Sequence, residues 1–252
     1  ITAGYHGSNE IAISNLVGSN TFNLLCVAGL SAIITPFIVD KDIIKRDYPL
    51  CLGVMALSVI FSLTGRVVSR VEGIILLVLF IAYIIYLVYE AIKNRETEKN
   101  LEKPMPPLKS VIFIIIGLAA IIGGGQLVVE SAKTIAREFG MSETLIGVTI
   151  VAIGTSLPEL VTSIVAAHKG QSAIAMGNVV GSNIFNLMLV LGMSSALTPI
   201  IVVPEALIDG AIMLAVNLIG WLFCVKDKRM GRKEGIFLVI LYIVYTVYLL
   251  MR

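Results

Sequence analysis

Residues 7–36 read GSNEIAISNLVGSNTFNLLCVAGLSAIITP, and residues 170–199 read GQSAIAMGNVVGSNIFNLMLVLGMSSALTP. The two stretches lie 163 residues apart without a gap. The recurring residues are not only apolar ones: Asn15, Ser19, Asn20 and Asn23 return as Asn178, Ser182, Asn183 and Asn186. A weaker echo continues beyond them. Arg70-Val71-Glu72-Gly73 answers Arg232-Lys233-Glu234-Gly235, and Tyr83 and Tyr86 answer Tyr245 and Tyr248. Any fold for this chain must therefore contain two related halves, each placing the same polar residues inside an apolar segment.

The repeated stretches sit among runs long enough to cross a bilayer as helices, which takes roughly 20 mainly apolar residues. Such runs cover 10–35, 48–65, 71–92, 109–131, 144–167, 173–198, 206–225 and 234–251. Only 14% of the residues are charged, against about 25% in a soluble domain. The spacing predicts an all-α polytopic membrane protein with eight complete spans in this chain. Five spans separate equivalent points of the two copies. An odd number inserts the second copy upside down relative to the first, the inverted-repeat plan of secondary transporters, whose substrate site lies near the midplane between the repeats.

The predicted organisation is a first repeat over 1–93, a polar linker over 94–107 and a second repeat of five spans over 108–252. Ile1 aligns with Ile164, so the first repeat is expected to lack its first span and most of its second. By symmetry, a five-plus-five arrangement would place roughly 60 residues ahead of Ile1. They would include a second acidic motif whose acid falls five residues before Ile1. If the spans alternate sides, 14 of the 19 Lys and Arg residues collect on one side, together with the 94–107 linker. The excess of positive charge predicts that this side is cytoplasmic and that the C-terminus is extracellular.

The chemistry concentrates in GTSLPEL, residues 154–160, within an otherwise apolar span. A carboxylate at the bilayer centre costs at least about 2.5 kcal/mol on insertion scales and usually lines an ion path. Pro158 lacks a backbone N–H and crowds the carbonyl of Gly154, so carbonyls near Ala152 and Gly154 are freed. Exposed backbone at membrane depth is tolerated where it lines a cavity or is buried in protein. Thr155, Ser156 and Glu159 share nearly one helical face. In the next span Asn178, Ser182 and Asn186 form a stripe four residues apart, and Asn15, Ser19 and Asn23 repeat it. Asn15, Asn20, Asn178 and Asn183 suit interhelical hydrogen bonds as well as ion ligation. Gly177, Gly181 and Gly192 are expected to allow close helix contact.

Carboxylate, hydroxyl, amide and carbonyl oxygens select hard cations. The two histidines, His6 and His168, are too scattered for a zinc or iron site. Cys26, Cys51 and Cys224 form no metal or disulfide pattern. A net charge of +2 gives no reason to expect nucleic-acid binding. No histidine or lysine stands in a span beside Ser156 or Ser182, so neither serine has a general base and no enzyme is expected.

GTSLPEL together with GNVVGSNIFN resembles the repeats of the cation/calcium exchanger superfamily, in particular its prokaryotic sodium/calcium exchangers. The resemblance runs along the whole chain. It implies a ten-span antiporter, several Na⁺ exchanged for one Ca²⁺ by alternating access, no resident cofactor, and residence in a prokaryotic cell membrane. It also implies a ligand set: Glu159 for Ca²⁺; Thr155, Ser156 and the Ala152 carbonyl for Na⁺ or Ca²⁺; Ser182 and Asn186 from the second repeat; Ser19 and Asn23 from the first. Some relatives carry Asp where Asn186 stands, and in potassium-dependent members that acid is tied to K⁺, so Asn186 and Asn23 lean against K⁺ dependence. Proton-coupled members carry Glu in the second motif span. The alternatives to Na⁺/Ca²⁺ exchange are Ca²⁺/H⁺ exchange and a passive cation channel.

Overall fold

The computed structural model describes residues 9–94, 106–140, 154 and 156–251. In chain order the helices are α1 (residues 9–34), α2 (Ile43–Leu63), α3 (Arg70–Asn94), α4 (Pro107–Glu138), α5 (Leu157–His168), α6 (residues 172–197), α7 (Pro204–Asp227) and α8 (Arg232–Met251). Four two-residue strands punctuate them: β1 (Phe37–Ile38), β2 (Val67–Val68), β3 (Ile200–Ile201) and β4 (Arg229–Met230). Among the described residues seven helices are long and apolar enough to cross a membrane. The remaining predicted span, 144–167, falls partly outside the described residues and is seen from Ser156 onward, as α5. Helix α4 exceeds its predicted span. Its 32 residues make a rod of about 48 Å, longer than a hydrocarbon core of about 30 Å, so it must tilt or project.

The repeat is visible residue by residue. α1 breaks into π-helical turns at Asn23–Ala28 and resumes α-helix at Gly29–Ile34; α6 does the same at Asn186–Leu191 and Gly192–Leu197. Both helices end at a Thr-Pro pair. Thr35 (φ −138°) and Thr198 (φ −140°) are extended, because a following proline disfavours helical geometry in the residue before it. The strands then pair between repeats. Phe37 lies opposite Met230 and Ile38 opposite Arg229, while Val67 lies opposite Ile201 and Val68 opposite Ile200. Two flanking bonds are also equivalent: Val39 N–H donates to the Lys228 carbonyl (2.9 Å) and Val202 N–H to the Arg66 carbonyl (2.8 Å). Arg66 and Lys228 are the two described non-glycine residues with left-handed backbone, at φ 55° and 51°.

Helix packing obeys the same exchange. α8 of the second repeat packs on the C-terminal part of α1, and α3 of the first repeat packs on the C-terminal part of α6. Each contact is made backbone to backbone at a glycine pair. A Cβ on Gly235 would stand 2.6 Å from the Gly29 carbonyl oxygen, and one on Gly73 would stand 2.7 Å from the Gly192 carbonyl oxygen. Gly192 thus has the close-contact role expected of it. Gly181 makes no such contact among the described residues: an added Cβ there meets nothing within 4 Å. Gly177 meets only the end of Ile43, at 3.8 Å. These two glycines thin the wall of a cleft instead.

Leu24, Leu25, Ile184, Leu187 and Met188 are fully buried where α1 and α6 run through the middle of the molecule. Ile81 and Ile85 on α3, Phe113 and Ile116 on α4 and Ile243 on α8 face outward, exposed. So much outward apolar surface suits lipid rather than water. The chain is an integral, all-α membrane protein with an inverted-repeat transporter fold.

Candidate functional site

Ser156 takes the cap position of α5 with non-helical backbone (φ −107°, ψ 9°), and Pro158 stands in the first turn of the helix. At that position the missing N–H of proline would have had no intrahelical partner, and its fixed φ favours starting a helix. Pro158 therefore opens a helix. Glu159 follows in the same first turn, where the free N–H groups and the helix dipole favour negative charge. Ala152 and Thr155 lie outside the described residues. Helix α4 supports this point from one side: a Cβ on Gly154 would strike the Val129 side chain, and one on Gly125 would come within 4.0 Å of Pro158.

Glu159 lines an open cleft of about 450 Å³ with Gly177, Asn178, Gly181, Ser182, Phe185 and Asn186. The Asn178–Ser182–Asn186 stripe thus converges with the carboxylate, as its spacing predicts. Asn178 ties the two elements together. Its Nδ2 donates to the Glu159 main-chain carbonyl (3.1 Å) and to Ser163 Oγ (3.0 Å), and Ser163 Oγ donates to the Ala175 carbonyl (3.1 Å). Oε2 of Glu159 is closed off from solvent and has no hydrogen-bond partner among the described residues. Leaving such an oxygen unpaired costs more than an ordinary lost hydrogen bond.

The first-repeat residues do not line this cleft. They join it through cross-repeat contacts. Ser19 Oγ lies 3.3 Å from the Oγ of buried Ser156. Asn23 is fully buried and donates from Nδ2 to Asn183 Oδ1 at 3.1 Å. The symmetry-related bond runs from Asn186 Nδ2 to Asn20 Oδ1 at 3.0 Å. Asn20 and Asn183, which sequence leaves open between ligation and interhelical bonding, are engaged in bonding. Asn15 is exposed.

Two polar residues at the site were not anticipated. Ser163 stands one turn after Glu159 and could have been found from that spacing. Asn217 on α7 is 1% exposed and accepts from Asn183 Nδ2 at 3.4 Å. It has no counterpart in the other repeat, so the search by symmetry passes over it. Among the described residues no three His, Cys, Asp or Glu side chains converge. The site is made of amide and hydroxyl groups around one carboxylate.

Comparison with known proteins agrees with this architecture. The family described as sodium/calcium exchanger protein matches residues 1–89 and 109–251. The inner membrane protein YrbG of Escherichia coli is 36% identical, over 94% of this chain and 76% of its own length. The sodium/calcium exchanger MaX1 of Methanosarcina acetivorans is 30% identical, over 99% of this chain and 83% of its own. Among solved structures, the sodium-calcium exchanger NCX_Mj soaked with zero Na⁺ and Ca²⁺ superposes with a TM-score of 0.80 at 34% identity, covering 98% of this chain and 80% of that one. The chain belongs to the sodium/calcium exchanger family.

Proposed function

We propose that this protein is a secondary antiporter that moves Ca²⁺ against Na⁺ by alternating access. The observation that carries the reading is Oε2 of Glu159, which has no hydrogen-bond partner among the described residues and is buried at the start of α5 beside a cleft lined by Asn178, Ser182 and Asn186. A dehydrated cation supplies the partner that this oxygen lacks. Glu159 then provides the charge, while Ser182, Asn186, Ser156, Ser19, Asn23, Thr155 and the Ala152 carbonyl provide neutral oxygens. Na⁺ and Ca²⁺ both accept such mixed oxygen sets, whereas Mg²⁺ holds its own waters and wants a tighter octahedron. Competition for one carboxylate couples the two ions. The paired contacts of α1 with α8 and α6 with α3 support a transport cycle in which equivalent packing is available to either half.

Proteoliposomes of the protein test the coupling ion. ⁴⁵Ca²⁺ uptake is expected under an outward Na⁺ gradient, and not under an outward K⁺ gradient or a pH gradient alone. Uptake driven by ΔpH without Na⁺ would move the protein to Ca²⁺/H⁺ exchange. Downhill Ca²⁺ flux that ignores every counter-gradient would make it a channel.

We also infer that the 94–107 linker is cytoplasmic, from the clustering of Lys and Arg on its side. Asn100→Cys should react with an impermeant maleimide in inside-out vesicles and not in intact cells. Cys26, Cys51 and Cys224 are buried and should stay silent. Labelling of the variant in intact cells would reverse the topology.

A further inference from the structure

We propose that Asn217 is a positioning residue that sets which end of the Asn23 carboxamide is free to meet an ion. This deepens the function proposed above and rests on it. A primary amide has one accepting end and one donating end, and only the oxygen binds a cation. Something must decide which end Asn23 offers.

The decision starts from a backbone carbonyl, which can only accept. Asn217 Nδ2 donates to the Met213 carbonyl at 2.8 Å, one turn earlier on α7. The Asn217 oxygen therefore points the other way, where it accepts from Asn183 Nδ2 at 3.4 Å. A second carbonyl holds Asn183 in the same sense, since its Nδ2 also donates to the Asn20 main-chain oxygen at 3.3 Å. The oxygen of Asn183 then faces Asn23 and accepts from Asn23 Nδ2 at 3.1 Å. The remaining end of Asn23 is Oδ1, which is buried and has no partner among the described residues. Asn183 takes its polarity from two acceptors, Asn217 Oδ1 and the Asn20 carbonyl, and passes it to Asn23. Asn20, Asn23, Asn183 and Asn217 are each at most 1% exposed, so bulk water does not offer a competing arrangement. The π-helical turn that begins at Asn23 packs against α5, the helix of Glu159.

Among the described residues the other half has no such anchor. Asn186 Nδ2 donates to Asn20 Oδ1, but Asn20 Nδ2 has no partner among the described residues. The residues of α2 that stand 163 and 162 positions before Asn217 are Val54 and Met55. Asn217 therefore breaks the equivalence of the two repeats at their centre. The Asn23 carboxamide is held through a chain of acceptors, and its symmetry mate on Asn186 through the single bond to Asn20 Oδ1.

The test uses a pair of nearly isosteric variants. Asn217→Val removes one of the two acceptors that hold Asn183 Nδ2 and leaves the Asn20 carbonyl. Asn217→Thr keeps the same volume and restores a hydroxyl, which can donate to the carbonyl four residues back and accept from Asn183. Na⁺-driven ⁴⁵Ca²⁺ uptake is titrated for wild type, both variants, Asn23→Ala and the double variant Asn23→Ala/Asn217→Val. N217V should raise half-saturating Ca²⁺ by about five- to tenfold with little change in maximal rate, and N217T should lie closer to wild type. Adding N217V to N23A should cost almost nothing more, because residues in one relay are not additive. Equal values for N217V and N217T would make Asn217 a packing residue and overturn the proposal. So would additive losses at Asn23 and Asn217, or a wild-type titration in N217V. If N217V is not recovered folded, N217T against wild type decides alone, with a loss of tenfold or more counting against the relay. A wild-type protein without Na⁺-driven uptake is a different result: it removes the proposed function, and the relay's purpose with it.

Discussion

Glu159→Gln is expected to cut Na⁺-driven Ca²⁺ uptake by about 30-fold or more, while leaving insertion and folding intact. The size follows from removing one member of a desolvated charge pair, which costs about 2–5 kcal/mol at buried sites, and each 1.4 kcal/mol is about tenfold. The side chain of Glu159 makes no hydrogen bond through Oε2 among the described residues that could be lost. The local scaffold is carried by its main-chain carbonyl, which accepts from Asn178, and by the Asn178–Ser163–Ala175 chain. Glutamine is also a suitable residue for the first turn of a helix, and a neutral side chain inserts into a bilayer more readily than a charged one. The variant should therefore purify at wild-type yield with unchanged helicity. Retained Na⁺-coupled uptake in that material would remove the carboxylate from the centre of the proposed function. Loss of uptake together with loss of folded protein would assign Glu159 to structure instead.

The halves of the molecule and the ends of its central helices were legible because each rests on a local rule. A gapless repeat of polar residues inside apolar runs has few explanations, and Thr-Pro at 35–36 and 198–199 stops both helices for the same steric reason. The stripe of Asn178, Ser182 and Asn186 converges with Glu159 because residues four apart share a helical face. Other features depend on contacts between distant segments and leave no local trace. Pro158 looks like a breaker of one span, yet it starts a helix, because the chain is already non-helical at Ser156. The π-helical turns at Asn23 and Asn186 carry no distinctive residue pattern. The glycines divide by surroundings that composition does not encode: Gly192 meets a helix backbone, whereas Gly181 meets open space. Asn217 escaped for the opposite reason to the motif residues, since it has no copy to be compared with.

Those glycine surroundings lead to the second large effect, on stability. Gly235→Ala and Gly73→Ala are each expected to destabilise the fold, Gly73→Ala the more. At Gly235 the new methyl is driven against Gly29 O at 2.6 Å, and at Gly73 against Ser195 Oγ, Ala196 N at 2.6 Å and Gly192 O at 2.7 Å, and a backbone atom cannot swing away as a side-chain tip does. Overpacking of this kind costs typically about 1–3 kcal/mol, occasionally more. That outweighs the gain of about 1 kcal/mol that alanine offers over glycine inside a helix. Gly53→Ala on α2 is the control: an added Cβ there meets nothing within 4 Å, so only the propensity gain remains. Thermal unfolding in detergent should lower the midpoint for the G73A and G235A variants and hold or raise it for G53A. The order of the two losses is the sharper part. The two glycine pairs are symmetry mates, one joining α3 to α6 and the other α8 to α1, but the Gly73 site is the more crowded, because Ser195 Oγ and Ala196 N also stand against the added Cβ. A loss at Gly235 that exceeds the loss at Gly73 would mean that the atoms crowding Gly73 yield more readily than the Gly29 carbonyl does, and would overturn this steric account.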